Sequence, residues 1–398
     1  MESIMILGAG PLQLPAIKKA KKLGMYVIVC DYDPHAVGIP LADEVYLIST
    51  IDKEAVLNKA YELRPDYVIT STSDAPVRTV AYVNEKLGYP IDITYENAVC
   101  ATIKSAMRER LLKYNVPIPR FYICNNYCEF EKAVYSFSQN CIIKPSDSSA
   151  SRGVLQVDTN DMHGKLKQQY EYCKNNSRNG IVMVEELMTG PEISVESFVI
   201  NGKVDIIAIT DKLVTESPYF VELGHSEQSQ LSENVKRKVC EVTKDAIAAI
   251  GIINGVSHTE LMITQDGPKV VEIAARLGGD FITSKLVPLS TGVDMVGNSL
   301  LLAMHKPINL KRTKKCGSAI RFITGSKGTL QEIKLKKNPF EIPGVVEVKY
   351  YVKPGDKVND VRSSGDRIGH VIACGNTAED AIWSANEALK QIQMIIRD

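Results

Sequence analysis

The 398-residue chain has no excess charge of either sign: 47 Lys and Arg are balanced by 47 Asp and Glu. Without net charge there is no overall attraction for nucleic acid or an anionic membrane, so any anion site must be local. No apolar run reaches the ~18 residues that a membrane span requires. The opening MESIMILGAG lacks the basic start and cleavage region of a signal peptide and reads as a strand. A cytoplasmic protein with neither nucleic acid nor membrane as partner is therefore expected. The nine cysteines are scattered and odd in number, which argues against a disulfide framework. Cys124 and Cys128 lie close together, but no second Cys or His pair accompanies them as a zinc site would need. Internal repeats and low-complexity tracts are absent, and no GxxxxGK[ST] phosphate loop occurs. GAGPLQLPA keeps Gly8 and Gly10, with Asp31 further on, but has Leu or Pro where a dinucleotide fingerprint needs its third glycine. That departure counts against an NAD-dependent dehydrogenase.

What is present is a rhythm. SIMILGAG, MYVIVCDYD, EVYLIS and DYVITSTSD are strand-like runs, separated by helix-like LPAIKKAKKLG and KEAVLNKAYEL. Strand alternating with helix predicts a doubly wound parallel sheet over residues 1–100, with sites at the carboxyl ends of its strands. Those ends carry Gly8, Gly10, Asp31 and the cluster Ser71, Thr72, Ser73 and Asp74. The character then changes. A basic helix, ATIKSAMRERLLKYN, leads into strands at CIIKP and IVMVEEL with the helix-like MHGKLKQQYEYCK between them (101–190). Alternating strands, the long helix ENVKRKVCEVTKDAIAAIG and the apolar helix MVGNSLLLAMH occupy 191–310. A smaller α+β unit over 311–398 ends in an expected helix, AEDAIWSANEALKQIQMI.

The strongest chemical signal is HTELMITQDGPKVVEIAAR. Two alternating strands flank Gln265, Asp266 and Gly267, which suit a three-residue hairpin loop. With Thr264 facing Pro268, Glu260 falls opposite Glu272. His258 and Met262 then share Glu260's face, and Val270, Ala274 and Arg276 share that of Glu272. Directly opposed carboxylates repel, and a divalent cation resolves the repulsion, since Mg²⁺ takes carboxylates together with substrate phosphates. Arg276 is placed to meet a phosphoryl group or a carboxylate. A solvated outer face is the competing reading, and a bulge would shift the register. Lys144 ends the apolar run CII and opens into PSDSSASRG, a pattern suited to a loop over phosphates, or to a plain surface loop. Lys104, in its arginine-rich helix, reads by itself as part of a solvated face.

In this order, Lys104, Lys144 with its Ser/Gly loop, VEELMTGPE, TEL and VEIAARLGG resemble the ATP-grasp superfamily over nearly the whole chain. The resemblance implies two lobes clamping ATP between antiparallel sheets. Lys104 and Lys144 would contact the phosphates under a flap carrying Ser149, Ser151 and Gly153. Glu185, Glu186 and Leu187 would border the adenine, and Glu192 would bind ribose. Glu260 and Glu272 would hold Mg²⁺, with Mn²⁺ as the alternative ion, and Arg276 would act with Lys144 on the phosphoryl group. Many members carry asparagine where this chain has Ala274, which leaves the metal shell one ligand short. DKLVTESPYFVELGHSEQSQL and ARLGGDFITSKLVPLSTGVD are most similar to the L-amino acid ligases that make dipeptides. By that likeness Glu222, His225, Arg276, Gly278, Gly279 and Asp280 would surround a small carboxylate and an amine substrate. HSEQSQL lacks the proline common near Ser229, so the first substrate does not carry over. The last unit would pack on the core and contribute to a homodimer. A purine-pathway ligase joining glycine to phosphoribosylamine, a biotin-carboxylase-like enzyme forming carboxyphosphate, and a catalytically silent nucleotide-binding regulator stand as alternatives.

Overall fold

In the computed structural model, which describes residues 1–149, 151–159, 165–216 and 219–397, the first apolar runs form a four-stranded parallel sheet. Its order is Glu44–Tyr46, Tyr26–Cys30, Ser3–Leu7, Tyr67–Ile69, with Ile4 aligned to both Val27 and Tyr67. The runs are continuously apolar because helices cover both faces. Ile4 and Ile6 pack with Ile17 and Ala20 on one side, Met5 and Leu7 with Val56 and Leu57 on the other. At the carboxyl ends of the strands the Ala9 N–H donates to Asp31 Oδ2 at 2.7 Å, tying the Gly8–Gly10 turn to the next strand.

Two antiparallel sheets of four and eight strands follow, with a third of three strands formed by Lys357–Val358, Gly328–Leu335 and Ile392–Arg397. The four-stranded one runs Phe121–Cys124, Val182–Glu186, Cys141–Pro145, Leu155–Val157. The larger has eight strands: Gly267–Ala274, Gly255–Thr264, Glu192–Ile200, Lys203–Val214, Glu222–Glu227, Gly317–Ile323, Gly369–Gly375 and Val345–Tyr350. Its last three strands come from the final hundred residues, joined where Gly224 aligns with Arg321. The C-terminal segment thus continues the sheet that carries the carboxylate hairpin. The helix Glu233–Ile250 covers that sheet with Val239, Ala246, Ile247 and Ile250, and ends at Gly251 with φ +82°. A side chain at Gly251 would also strike Asn97 Nδ2, 2.4 Å away, so the chain needs glycine there on both counts.

Some element boundaries differ from expectation. The basic helix begins at Lys104 rather than Ala101, because Tyr95–Cys100 forms a separate short helix capped by Thr94. The helix expected from Met162 is seen over Lys165–Asn175, its first residues lying outside the described ones. The final helix stops at Lys390. Ile392–Arg397 is instead a strand against Gly328–Leu335, where the period-2 spacing of Ile392, Met394 and Ile396 buries one face. Among the described residues no single helix is long and apolar enough to cross a membrane.

One buried acid gives the fold a pH signature. Glu227 accepts from Thr210 Oγ1 at 2.9 Å and from Ser290 Oγ at 2.7 Å. Burial outweighs these bonds and raises its carboxyl from 4.5 to about 8. Because the folded value exceeds the unfolded one, its contribution to stability is full below about 4.5 and is lost as pH rises through about 8. Glu227→Gln keeps the shape without the titration. Denaturation midpoints taken at about pH 5 and about pH 8 should lie closer together in the variant than in the parent. An unchanged gap would mean that Glu227 is already ionised in the folded protein.

Candidate functional site

The hairpin places Glu260 opposite Glu272, by a route other than the expected one. Thr264 aligns with Gly267, so the loop has two residues, Gln265 and Asp266. On that register alone the carboxylates would miss each other. A bulge between Leu261↔Val270 and Glu260↔Glu272 inserts Val271 and restores the opposition. The bulge also turns Val270 into the core beside Leu261 and Ile273, away from the face of Glu272. The Val271 carbonyl accepts from Arg108 Nη2 at 2.8 Å.

Each carboxylate has a cationic neighbour. Lys104 Nζ lies 3.0 Å from Glu272 Oε2 and donates to the Ser148 carbonyl at 2.9 Å. Lys212 Nζ lies 3.1 Å from Glu260, 2.5 Å from Glu192 and 3.6 Å from Glu222, joining three acids from three strands. Burial opposes the charge on Lys212, but Glu192, Glu260 and Glu222 together raise its pKa well above the ordinary lysine value. Burial likewise opposes ionisation of Glu260, yet Lys212 and His258 hold its carboxyl well below the usual range. For Glu192 burial prevails over Lys212, and its pKa is raised. His258 bonds Glu196 at 2.7 Å and Glu260 at 3.2 Å. Its pKa rises to about 9 because Glu196 outweighs burial. Ala274 aligns with His258 across the hairpin.

Lys144 reaches Glu185 at 2.6 Å, and Arg108 grips the same carboxylate at 2.9 and 3.1 Å. Burial opposes the charge on Glu185, but these two cations bring its carboxyl down to about 2. Lys144 moves down as well, since burial and the charge of Arg108 exceed what a shared Glu185 returns. Glu185 therefore spends its charge on orienting Lys144. Arg276 donates to Asp74 Oδ1 at 2.7 Å, bridging the large sheet to the first parallel sheet. Burial opposes its charge, and Asp74 raises its pKa despite this.

These groups line one cleft of about 790 Å³ between the sheets. Lys104, Lys144, Ser149, Ser151, Glu185, Glu186, Leu187, Glu192, Glu222, His225, Glu260, Glu272, Arg276, Gly279 and Asp280 all border it. Gly153 and Gly278 do not. A side chain at Gly153 would meet Asn176 at 2.6 Å and Pro145 at 2.7 Å, and one at Gly278 would meet Glu196 and His258 at 2.7 and 2.9 Å. Packing accounts for both glycines. Ser151 reaches across the cleft to the Phe220 carbonyl at 3.4 Å, so the Ser146–Gly153 loop touches the opposite wall.

The far end is closed by a residue that sequence reasoning missed. Arg367 forks onto Asp280 at 2.6 and 2.7 Å with its guanidinium 3.7 Å from the centre of the Phe322 ring. Burial opposes ionisation of Asp280, but Arg367 and His225 bring its pKa down. His225 Nε2 lies 3.3 Å from the same carboxylate, and Ser364 donates to Glu222 at 2.9 Å. Lys212, Arg108, His258 and Arg367 are the main additions to the sequence-derived set. Arg108 and His258 left local signals, Arg108 four residues after Lys104 on the same helix face and His258 two residues before Glu260 on the same strand face.

Among the described residues no group of three or more His, Cys, Asp or Glu could hold a metal unaided. Two opposed carboxylates nevertheless fit a Mg²⁺-type ion, which takes one or two protein carboxylates and fills its shell with water and phosphate oxygens.

Comparison with known proteins agrees with this geometry. Residues 137–284 match the ATP-grasp domain, and residues 321–397 match the L-amino acid ligase C-terminal domain 2. The chain is 26% identical over 96% of its length to the uncharacterized protein y4rH of Sinorhizobium fredii, covering 80% of that protein. It is 22% identical over 84% of its length to the L-arginine-specific L-amino acid ligase of Bacillus subtilis, covering 82% of that enzyme. The crystal structure of an L-amino acid ligase from Bacillus licheniformis superposes over 100% of this chain and 99% of its own, with a TM-score of 0.84 at 21% identity. With an ATP-grasp domain over 137–284 and an L-amino acid ligase C-terminal domain over 321–397, the chain is similar to the ATP-grasp carboxylate–amine ligases.

Proposed function

We propose that this protein activates the carboxylate of one small substrate with ATP and joins it to the amine of an amino acid. The observation that carries the reading is the convergence of Glu260, Glu272, Lys104, Lys144 and Arg276 on one cleft, beside an acid- and imidazole-rich end closed by Arg367. A substrate carboxylate oxygen attacks the γ-phosphorus. The bond from that phosphorus to the β–γ bridging oxygen breaks, and ADP leaves. The neutral amine then attacks the acyl carbon, the carbon–oxygen bond to phosphate breaks, and the amine's surplus proton leaves with phosphate or water.

No side chain has to act as nucleophile. The work is positioning and charge neutralisation. Lys104 and Lys144 face the phosphates, with Lys144 aimed by Glu185. Leu187 and the edge of the strand Val182–Glu186 border the base, and Glu192 is placed for ribose. Arg276, fixed by Asp74, meets the transferred phosphoryl group. Glu260 and Glu272 would hold Mg²⁺ or Mn²⁺, which supplies further neutralisation of phosphate charge when bound. Glu222, His225 and Asp280 form the substrate end, and the loop around Ser149 and Ser151 keeps water from the acylphosphate. The matched C-terminal domain favours amino-acid substrates over the purine-pathway and carboxylase alternatives. A screen of amino-acid pairs for phosphate release with ATP and Mg²⁺, products identified by mass, tests this. Release that depends on two amino acids and yields a dipeptide is expected. Stimulation by bicarbonate alone, or tight ATP binding without turnover, would replace the reading.

A further inference from the structure

The cations of the cleft are not evenly matched. Every lysine lining it, with Arg276 and Arg367, lies within ion-pair distance of a carboxylate, whereas Arg78, Arg152 and Arg178 show no such pair among the described residues, Arg152 donating to the Ser149 carbonyl and Arg178 to that of Asp147. Arg78 has no side-chain hydrogen bond and no ion pair among the described residues, although it is only partly exposed and borders the same cleft. The ionisable groups that act on it are Tyr95, Asp147 and Arg178. Asp147 is already engaged by the Arg178 and Asn179 N–H groups and by Ser177 Oγ. An arginine brought partly out of water beside another arginine, with no acceptor among the described residues, is suited to an anion.

A second observation lies five and six residues back. The buried Gln13 side chain donates through Nε2 to Thr72 Oγ1 and to Ser73 Oγ, each at 2.8 Å. Both hydroxyl oxygens are thereby used as acceptors, and neither hydroxyl donates to another described residue. Their protons remain for an outside acceptor. Thr72 and Ser73 lie in the connection after the parallel strand Tyr67–Ile69, and Arg78 lies in the first turns of the following helix, Ala75–Leu87. Asp74 stands between them with its charge matched by Arg276, so the hydroxyls and Arg78 flank the residue that fixes Arg276.

We propose that Arg78, together with the Thr72 and Ser73 hydroxyls, holds an oxyanion carried by the amine-side substrate. The acceptor is then an amine bearing its own carboxylate or phosphate, anchored on the first parallel sheet while its nitrogen approaches the acyl carbon near Arg276. This rests on the ligase reading above. The phosphates of ATP already have Lys104 and Lys144 on the two lobes, whereas Arg78 belongs to neither lobe.

The test measures amine-dependent ADP release with the donor acid found in the screen, at saturating ATP. The acceptors are an amino acid, its carboxamide, and O-phosphoethanolamine, and the proteins are wild type, Arg78→Ala, Arg78→Lys and Thr72→Val/Ser73→Ala. The wild type should strongly prefer an anionic acceptor, and the better of the two anionic amines names the oxyanion. Arg78→Ala should raise the KM of that acceptor about 10- to 100-fold and erase the preference over the carboxamide, with the KM for ATP unchanged. Arg78→Lys and the hydroxyl variant should fall between, and they carry the test if Arg78→Ala melts early. Equal use of carboxamide and amino acid by the wild type would overturn the subsite and leave the ligase reading standing. So would a rise in KM for ATP instead of for the acceptor. Absence of ADP release with every amine would overturn both.

Discussion

Glutamine in place of Glu272 or Glu260 should lower amine-dependent ADP release by about a thousandfold and raise the Mg²⁺ concentration needed for half-maximal rate. The change preserves size and removes one charge from a pair whose opposition depends on a single bulge residue, Val271. The two variants should differ in detail. Glu272 has one lysine beside it, Lys104, while Glu260 also faces Lys212 and His258. Glu260→Gln leaves Lys212 with Glu192 and Glu222, so its fold should survive with little change in melting temperature. Glu272→Gln frees Lys104 to stay on the Ser148 carbonyl, which tends to keep the Ser146–Gly153 loop in place. Rates measured against Mg²⁺ concentration separate lost metal affinity from lost turnover. Full activity of Glu272→Gln at ordinary Mg²⁺ would remove the carboxylate pair from the mechanism.

That pair was legible from sequence because a strand's period of two and a turn signal are local features. The register was reached through compensating differences: the loop is one residue shorter than expected, and the bulge adds that residue back. Parity of a hydrophobic pattern cannot reveal a bulge whose extra residue is another valine. The parallel sheet was legible for a similar reason, since continuous apolar runs between helical spacings have few other uses. What escaped was long-range charge pairing. Lys212 sits in a half-polar strand, and nothing local says that acids at 192, 222 and 260 will surround its ammonium. Arg367 lies 87 residues from Asp280, on a loop whose chemistry becomes visible only when the last strands join the large sheet. The likeness sets Gly278 beside the substrates, but it does not border the cleft, and a side chain there would meet Glu196 and His258. The expected final helix takes in residues 392–395 of the strand Ile392–Arg397, because an apolar segment this short fits either period until its partner strand is known.

Arg108 is where the missed pairing should matter most for stability. Its side chain and that of Glu185 are each 1% exposed, and it bonds both the Glu185 carboxylate and the Val271 carbonyl. Arg108→Met should destabilise the protein by about 3–5 kcal/mol, the range for removing one member of a buried ion pair. The loss is large because Glu185 stays buried with Lys144 alone and the bulge carbonyl loses its donor. Adding Glu185→Gln to Arg108→Met should deepen the loss rather than recover it, since it strips the buried Lys144 ammonium of its carboxylate. Denaturant midpoints of the two single variants and the double variant provide the measurement. Function should respond separately. Without the repulsion of Arg108, Lys144 would bind Glu185 more exclusively and face phosphate less, so the KM for ATP should rise in Arg108→Met. Lys144→Met, by contrast, leaves Glu185 gripped by Arg108 and should cost activity far more than stability. If Arg108→Met unfolds at wild-type denaturant concentrations, the buried pair contributes nothing net, and Arg108 serves only to hold the bulge that brings the two opposed carboxylates together.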